Sequence, residues 1–458
     1  MRIIMESPNK QCSLNPVTTW FIKRLCSCAV LLPTVATIWN ASFTEGVLPV
    51  SQKHAIIRPR LKKSTLDHDL NSDRPISNLT FLSKTIEMVV ATRFNEHADA
   101  HDLLLLRQSA YCAHHSTETA LTDIHHRLVW NVDRGGHVSA LVLLDLSSAF
   151  DTVDHAILLD MLKKRFGIGG IAFKGFRSHL SDRTQTFQMG LQNSKTLVVC
   201  CSVPQGSDLG VLKFVVYTED LPAVIEQCAI EHHLYVDDTQ VLDDPPITSV
   251  TASILNMDHC IDAVHTWYSS KHLQLNPTTI EIIWFMTRAS LKCLQHTDIS
   301  QHVGTVAIKP TRVVRDLGVL LELSMWQHIG KLTGLCYYHL RRLKKVQYIL
   351  GPTITCRRVS AFVSSRPDYC NSILAGLPKS TIAHLQRIQN AAVRLVWGLG
   401  PCDHVTKSVC ELHWLPIQFR IMYNLCLMML NVHTGCSPGY IKKILTLMAG
   451  LPNRSRLR

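Results

Sequence analysis

From Asn78 to Ala98 the apolar residues Leu79, Leu82, Ile86, Val89, Val90 and Phe94 recur at intervals of three and four, one helix face, with Ser83 and Lys84 directed elsewhere. A second helix is predicted to start at Ser116, with Glu118 and Thr119 close behind, and to run through Leu121, Ile124, Leu128 and Val129. The pattern then changes. Ser139-Ala-Leu-Val-Leu-Leu144 follows the Gly135-Gly136 turn as a continuous apolar run ending on Asp145, the pattern of a buried strand that presents a carboxylate at its end. Ile157, Leu158, Met161, Leu162 and Phe166 return to helical spacing and stop at Gly167. Thr184 to Leu191 and Thr196 to Val203 read as strands around a polar turn at Gln192-Asn-Ser194, and a Pro204-Gln-Gly-Ser207 loop opens a helical stretch to about Tyr217. His232 to Leu242 alternates around Asp237-Asp238-Thr239, which predicts a strand, a carboxylate-bearing turn and a second strand. Leu273, Leu275, Ile280, Ile282, Ile283 and Phe285 predict another β pair, and Val313 to Leu321 a further strand. Beyond Met325 the periods are helical. Leu340, Leu343, Val346, Ile349 and Leu350 form one stripe with Arg341, Arg342, Lys344 and Lys345 crowding the other faces, and Ser380 caps a helix carrying Leu385, Ile388, Ala392 and Leu395 inside.

Composition narrows the class. The 458 residues carry 47 Lys and Arg against 35 Asp and Glu, a formal charge of +12 before 24 histidines are counted. With 46% hydrophobic and 18% charged residues the chain can bury large cores, which argues against disorder, collagen or a coiled coil. A basic folded protein favours polyanionic partners, because Lys and Arg that neutralise phosphates release counterions, although net charge does not separate nucleic acid from membrane. The longest apolar stretch, Cys26 to Trp39, contains Pro33 and falls short of the roughly 20 residues that a membrane span requires. It lies behind a long polar start with no clear small-residue cleavage site, so it reads as a buried helix or strand pair, with no signal peptide, no transmembrane span and no membrane partner expected. Sixteen cysteines scattered singly imply reduced thiols and an intracellular location, nucleus or cytoplasm. Cys402 and His404, followed by Cys410 and His413, start with too tight a spacing for the usual zinc finger, and His413 sits in a Leu-His-Trp-Leu-Pro run that reads as packing.

Asp145, Asp237 and Asp238 each lie at the end of an apolar run, where a buried charge is costly unless a cation or donor compensates it. Strand-end acids gathered from separated segments form an oxygen-rich, strongly negative site that suits Mg²⁺. Two such ions about 4 Å apart can activate a primer hydroxyl and stabilise leaving pyrophosphate. Taken alone, an Asp-Asp pair in a turn is also ordinary hairpin chemistry. An unrelated Mg²⁺ phosphatase or nuclease would need a histidine or lysine against that pair, and His232-His233 is the only local candidate.

The accompaniment of these acids decides between the readings. In order along the chain stand Asp73-Arg-Pro-Ile-Ser-Asn-Leu-Thr-Phe-Leu-Ser-Lys84, His114-His-Ser-Thr-Glu-Thr-Ala-Leu121, Leu144-Asp-Leu-Ser-Ser-Ala-Phe-Asp-Thr-Val-Asp-His155, Val203-Pro-Gln-Gly-Ser207, Tyr235-Val-Asp-Asp238 and Arg315-Asp-Leu-Gly-Val319. Together they resemble the reverse transcriptase of non-LTR (LINE-type) retrotransposons, from about residue 10 to the C-terminus. The helical tail, with Arg366-Pro-Asp-Tyr-Cys-Asn371 and Leu412-His-Trp-Leu-Pro416, is similar to that family's thumb and C-terminal region. The resemblance implies an α+β right-hand polymerase: residues 1–57 preceding the fingers, 58–322 as fingers and palm, and 323–458 as an all-helical thumb and C-terminal region. It implies that Asp145, Asp237 and Asp238 hold two Mg²⁺ ions and that Phe150 lies under the incoming sugar and rejects ribose by bulk. Arg74 would grip the nucleotide triphosphate, with Lys62 and Lys63 as weaker candidates, and Gln205 and Gly206 would approach the nascent base pair and template. Arg341, Arg342, Lys344 and Lys345 are expected to contact the template-primer backbone. The expected partners are an RNA template, a DNA primer and deoxynucleoside triphosphates; no protein partner is indicated.

Departures from the family pattern favour a second expectation, a catalytically decayed nucleic-acid-binding relic of the same fold. Cys112 stands where the family usually has a basic residue, and Asp208 and Val211 replace an apolar residue and a proline. The family's Lys-Thr-Glu block is Thr279-Ile-Glu281 here, so the lysine thought to protonate pyrophosphate is missing. Pro367 falls in an otherwise helical pattern, where it would cost about 3 kcal/mol or more. The chain also lacks the upstream endonuclease domain that such elements usually carry, so target nicking is expected to lie outside it.

Overall fold

The computed structural model describes residues 1–445, except positions 8, 10, 11, 16, 29, 63–66, 68, 70, 71 and 305. At its centre four strands lie in the order Glu281–Phe285, Ser139–Leu144, Asp238–Asp243, Glu231–Tyr235, each antiparallel to its neighbour. The period of two along each strand divides the interior into two cores. Ala140, Val142, Val241, Ile282 and Trp284 point into the first, while Leu141, Leu242, Ile283 and Phe285 point into the second. With both faces covered, Ser139–Leu144 has no polar side to show, which is why it reads as a continuous apolar run. The second core takes Leu121, Ile124 and Leu128 from the helix Thr117–Asp133 and Ile329, Leu385 and Ile417 from the helical tail, so it runs unbroken across residue 322.

A second sheet is built on His54–Leu61, which pairs antiparallel with Asp73–Asn78 and parallel with Arg183–Met189. The latter strand also pairs with Gln192–Asn193 and Leu197–Val199. The helix Phe81–Ala100 starts at Thr80, whose side chain accepts from the Ser83 N–H. Contrary to the periodicity argument, Ser83 is fully buried, together with Thr85 and Glu87. At Ser116 the expected start is a reciprocal capping box: the hydroxyl accepts from the Thr119 N–H at 3.1 Å, and Thr119 Oγ1 accepts from the Ser116 N–H at 2.9 Å.

Several local expectations need correction. Gln274–Leu275 pairs with Leu146–Ser147 while Glu281–Phe285 joins the central sheet, so the two runs are not partners of each other. Val313 to Leu321 is a hairpin, Val314–Asp316 with Val319–Leu321, turned at Leu317 and Gly318 with positive φ. The stripe from Leu340 to Leu350 spans two helices, Trp326–Lys344 and Gln347–Val359. Leu340 is buried, but Val346 and Ile349 are exposed because the turn between the helices rotates them off the core. Ser380 lies inside the helix Lys379–Trp397, which begins after Pro378. Pro367 sits in the short helix Ser365–Asp368 behind a π-helical turn, Ser360–Ser364; there the ladder shifts register, and the chain turns extended at Tyr369, so the proline does not interrupt a continuing helix. The stretch Cys26 to Trp39 falls across two helices, Thr19–Ser27 and Leu32–Glu45, and of the second only Val35 is fully buried. Among the described residues no single helix is long and apolar enough to cross a membrane. All sixteen cysteines are unpaired.

Candidate active site

Strand register positions the three acids. Leu144 is the cross-strand partner of Thr239, so Asp145, one residue on, leaves the sheet beside Asp238. Asp238 itself pairs with Tyr235, and the two residues between them, Val236 and Asp237, form the turn of the hairpin. Val236 has φ +60 and is the only turn residue at positive φ, the pattern of a type II′ turn that glycine normally serves. A β-branched side chain there stores on the order of 1–3 kcal/mol of strain. The turn is held from outside: the Val236 N–H donates to Gln108 Oε1 at 3.3 Å, and Leu234 exchanges backbone hydrogen bonds with Arg107 and Ser109 at 2.9 and 3.0 Å.

The electrostatics of this corner are one-sided. Burial raises the Asp237 carboxyl; its own backbone N–H opposes that rise, Asp145 adds to it and the Arg74 guanidinium works against it. Asp238 is pushed up to about 7 by desolvation against the sheet, then by the charges of Asp237, Asp316 and Asp145. Asp316, at the end of the strand Val314–Asp316, is the member that sequence reasoning missed. It is 3% exposed, and burial drives it to about 7 although Gln240 Nε2 donates to its Oδ1 at 2.7 Å. Its Oδ2 and the Oε1 of Gln240 have no hydrogen-bond partner. The signal was present in the Arg315-Asp-Leu-Gly-Val319 block, but nothing local reveals that this acid turns inward.

The segment that follows the strand Gln274–Leu275 closes the other side. The Asn276 N–H donates to the Asp145 carbonyl at 3.0 Å, and Thr279, exposed, folds its hydroxyl back onto the Asn276 carbonyl at 3.1 Å. Phe150 is half-buried, its ring 5.1 Å from that of Phe214, and its carbonyl accepts from the Val203 N–H at 2.9 Å. Through Val203 the Pro204–Ser207 loop is tied to this strand end, and the Gln205 carbonyl accepts from the Ser77 N–H at 2.8 Å. Gly206 has φ +98 and lies within 3.6 Å of the Ser77 carbonyl at its would-be Cβ, so the loop depends on glycine there. Arg74, exposed on the same strand as Ser77, thereby shares the corner with Asp237, Gln205 and Gly206. Lys62 is exposed on the loop beyond His54–Leu61, and Lys63 lies outside the described residues.

Two groups of expected residues fall elsewhere. Arg341, Arg342 and Lys344 occupy the last turn of the helix Trp326–Lys344 and Lys345 follows it, all four exposed. At 1.5 Å per residue, Arg341 is about 22 Å along the helix from its start, which follows the strand Val319–Leu321. Arg342 is partly engaged, donating to Tyr338 Oη at 3.3 Å. His232 and His233 are buried in the edge strand; His233 is taken by Ser109 at 2.8 Å and Asp123 at 3.5 Å, so neither supplies the base that a phosphatase reading requires.

The donor set fits a hard divalent cation in kind, since it is all carboxylate oxygen and the charges of neighbouring acids add to the upward shifts of Asp237 and Asp238, with the Arg74 guanidinium opposing at Asp237. Among the described residues, however, no three His, Cys, Asp or Glu side chains are drawn together closely enough to enclose a metal ion. The acids share a field rather than a closed coordination shell.

Comparison with known proteins adds an independent line. The family profile "Reverse transcriptase (RNA-dependent DNA polymerase)" matches residues 61–310. The chain is 26% identical over 382 residues to the probable RNA-directed DNA polymerase from transposon BS of Drosophila melanogaster, covering 79% of this chain and 40% of that protein. It is 26% identical over 265 residues to the RNA-directed DNA polymerase from mobile element jockey of the same fly, covering 56% of this chain and 28% of the relative. The chain thus spans well under half the length of these relatives. Among solved structures, a telomerase from Candida albicans in complex with a telomeric RNA fragment aligns over 89% of this chain and 68% of its own, at 11% identity and TM-score 0.38.

Proposed function

The chain belongs to the reverse transcriptase (RNA-dependent DNA polymerase) family, and from that premise we propose that it extends a DNA primer on an RNA template by nucleotidyl transfer. The observation that carries the reading is the register that sets Asp145 beside the Tyr235–Asp238 hairpin, with Arg74 acting on Asp237. In this reading Asp145, Asp237 and Asp238 hold Mg²⁺, and Asp316 adds negative charge behind them. When bound, the metal supplies charge neutralisation and activation of the primer hydroxyl. Arg74 binds the triphosphate through its forked donors, Phe150 packs under the sugar, and the Gln205–Gly206 backbone faces the nascent pair. Residues 58–322 form the fingers and palm and 323–458 the thumb and C-terminal region.

The test is extension of an oligo(dT) primer on poly(rA) by purified protein, with Mg²⁺ and deoxythymidine triphosphate. Extension that depends on Mg²⁺ and is abolished by Asp237→Ala supports the reading; no extension at any protein concentration sinks it.

Thr279 favours a second reading, a nucleic-acid-binding protein that has lost turnover. Its short hydroxyl, turned onto Asn276, stands where the resemblance calls for a proton-donating lysine. General acid catalysis is typically worth about 10²–10⁴-fold, so Thr279→Lys is expected to raise turnover without changing template affinity. A variant that binds template-primer and still extends nothing would establish the relic.

A further inference from the structure

Beneath the Pro204–Ser207 loop lies a charged cluster that the reaction as described does not use. Glu87 comes from the helix Phe81–Ala100, His179 from the last turn of Gly170–Leu180, Arg183 from the start of Arg183–Met189 and Lys213 from Asp208–Tyr217; none is more than 6% exposed. Lys213 Nζ is 2.7 Å from His179 Nδ1, His179 Nε2 is 2.9 Å from Glu87 Oε1, and Ser207 Oγ donates to Glu87 Oε2 at 2.6 Å. An ionised carboxylate can only accept, so Nε2 of His179 carries the proton that goes to Glu87, and Nδ1 of the neutral ring accepts from Lys213. The bonds therefore have one direction, from Lys213 through His179 to Glu87, where they meet the Ser207 hydroxyl.

The protonation states agree. Burial, with Lys213 beside it, drives His179 down to about 3, so the ring is neutral. Burial pushes Glu87 up, but the hydrogen bonds of His179 and Ser207 and the charge of Arg183 oppose it and hold the carboxyl below its ordinary value. Lys213 is lowered to about 7 by burial, with Glu87 opposing and Arg183 adding to the fall. His155, at the start of the neighbouring helix His155–Lys164, feels the charges of Lys213 and Arg183.

An apolar set of the same volume would pack these helices as well, since buried ion pairs are weak sources of stability. What the charges add is an aim. Ser207 ends the loop, and besides donating to Glu87 it accepts the Gly210 N–H at 3.0 Å, so one hydroxyl fixes both the helix start and the loop exit. The other end of the loop is pinned by the Ser77–Gln205 bond on the strand that carries Arg74.

We propose that Glu87, His179 and Lys213 are positioning residues that, through Ser207, hold the Gln205–Gly206 backbone in register with the Arg74 strand for the incoming nucleotide and template. The proposal rests on the polymerase reading above.

Two variants test it. Ser207→Ala removes only the shared hydroxyl, and Glu87→Gln leaves an amide that can accept from one of its two donors but not both. Hydrogen exchange at the Ser77 and Gly210 amides reports the loop without any substrate, and primer extension gives KM for the nucleotide and kcat separately. Both variants are expected to accelerate exchange at Ser77 and Gly210 about tenfold, the loss of one hydrogen bond, while Leu141 and Val142 in the central sheet keep their protection. KM is expected to rise about tenfold with kcat within about twofold, and Ser207→Thr is expected to restore both readouts. The proposal is overturned if loop exchange is unchanged, if it accelerates no more than in the central sheet, or if kcat falls at constant KM. A wild-type protein inactive on every template-primer overturns the polymerase reading instead, whereas an active one whose loop ignores both variants overturns this inference alone.

Discussion

The two charged clusters of this molecule are built on opposite plans. At the hairpin corner, Asp145, Asp237, Asp238 and Asp316 repel one another, and Arg74 is the only cation that acts on Asp237. Under the Pro204–Ser207 loop, one carboxylate is surrounded by a histidine, a lysine, an arginine and a hydroxyl. The first arrangement is destabilised by its own charge and gains from an added cation; in the second the carboxylate has both oxygens hydrogen-bonded without any ligand. That contrast separates an arrangement open to a cation from one whose carboxylate is already partnered.

The sharpest way to break the comparison is to remove one acid from each. Asp237→Ala is expected to lower primer extension by roughly 10³-fold or more, the several kcal/mol that metal-held charge contributes, while leaving the melting temperature unchanged or higher. Glu87→Gln is expected to act on stability instead, costing about 1 kcal/mol or less at pH 8, the loss of one of the two hydrogen bonds the carboxylate accepts. Since the Glu87 carboxyl lies below its ordinary value in the fold, its contribution is present above the unfolded pKa and fades as pH falls through the folded one. The penalty measured by urea denaturation should therefore shrink toward acid.

Asp316→Asn probes the opposite sign. Its folded pKa of about 7 lies above the unfolded value, so the fold binds the extra proton and loses stability as pH rises from about 4 to 7. The amide should stabilise the metal-free protein by on the order of 2–4 kcal/mol at pH 8 and by nothing at pH 4. A gain that persists at pH 4 would mean that packing, not charge, is the cause. The smallest effect concerns the far end of the helix Trp326–Lys344. Neutralising Arg341, Arg342, Lys344 and Lys345 together is expected to flatten the salt dependence of template-primer binding by about one unit of slope per lost phosphate contact. An unchanged slope would leave them as cations that complement the helix dipole.

How far these two clusters could be read from the chain differs just as much. The carboxylate hairpin is local: Tyr235 and Asp238 pair across a two-residue turn, and Ser139–Leu144 announces itself by six residues with no polar face. Its failure of turn chemistry, valine at positive φ, is what a pattern argument would have rejected. Asp316 escaped because a strand of three residues has too little period to show which way an acid points. The Glu87 cluster was illegible as a whole, since Ser207 lies 120 residues from Glu87 and Lys213 lies 34 from His179. Yet one trace was there: Lys213 interrupts the apolar run from Leu209 to Tyr217, where a lone cation must find an anion. The apolar stripe from Leu340 to Leu350 misled for the converse reason, because helical spacing continues across a break that the period alone does not mark.

One contact described in passing sets the order in which the molecule can be assembled. His233, two residues before the hairpin turn, is backed by Ser109, and the Ser109 hydroxyl lies 2.7 Å from that of Tyr440, 331 residues later in synthesis. Tyr440 also donates to Thr119 at 3.1 Å. A growing chain can pair the hairpin strands early, but their buried backing waits for a residue made far later. Until Tyr440 arrives, Ser109 and Thr119 lack a hydrogen-bond partner that the finished fold supplies, so fragments cut near residue 322 carry Asp145, Asp237 and Asp238 without their completed support.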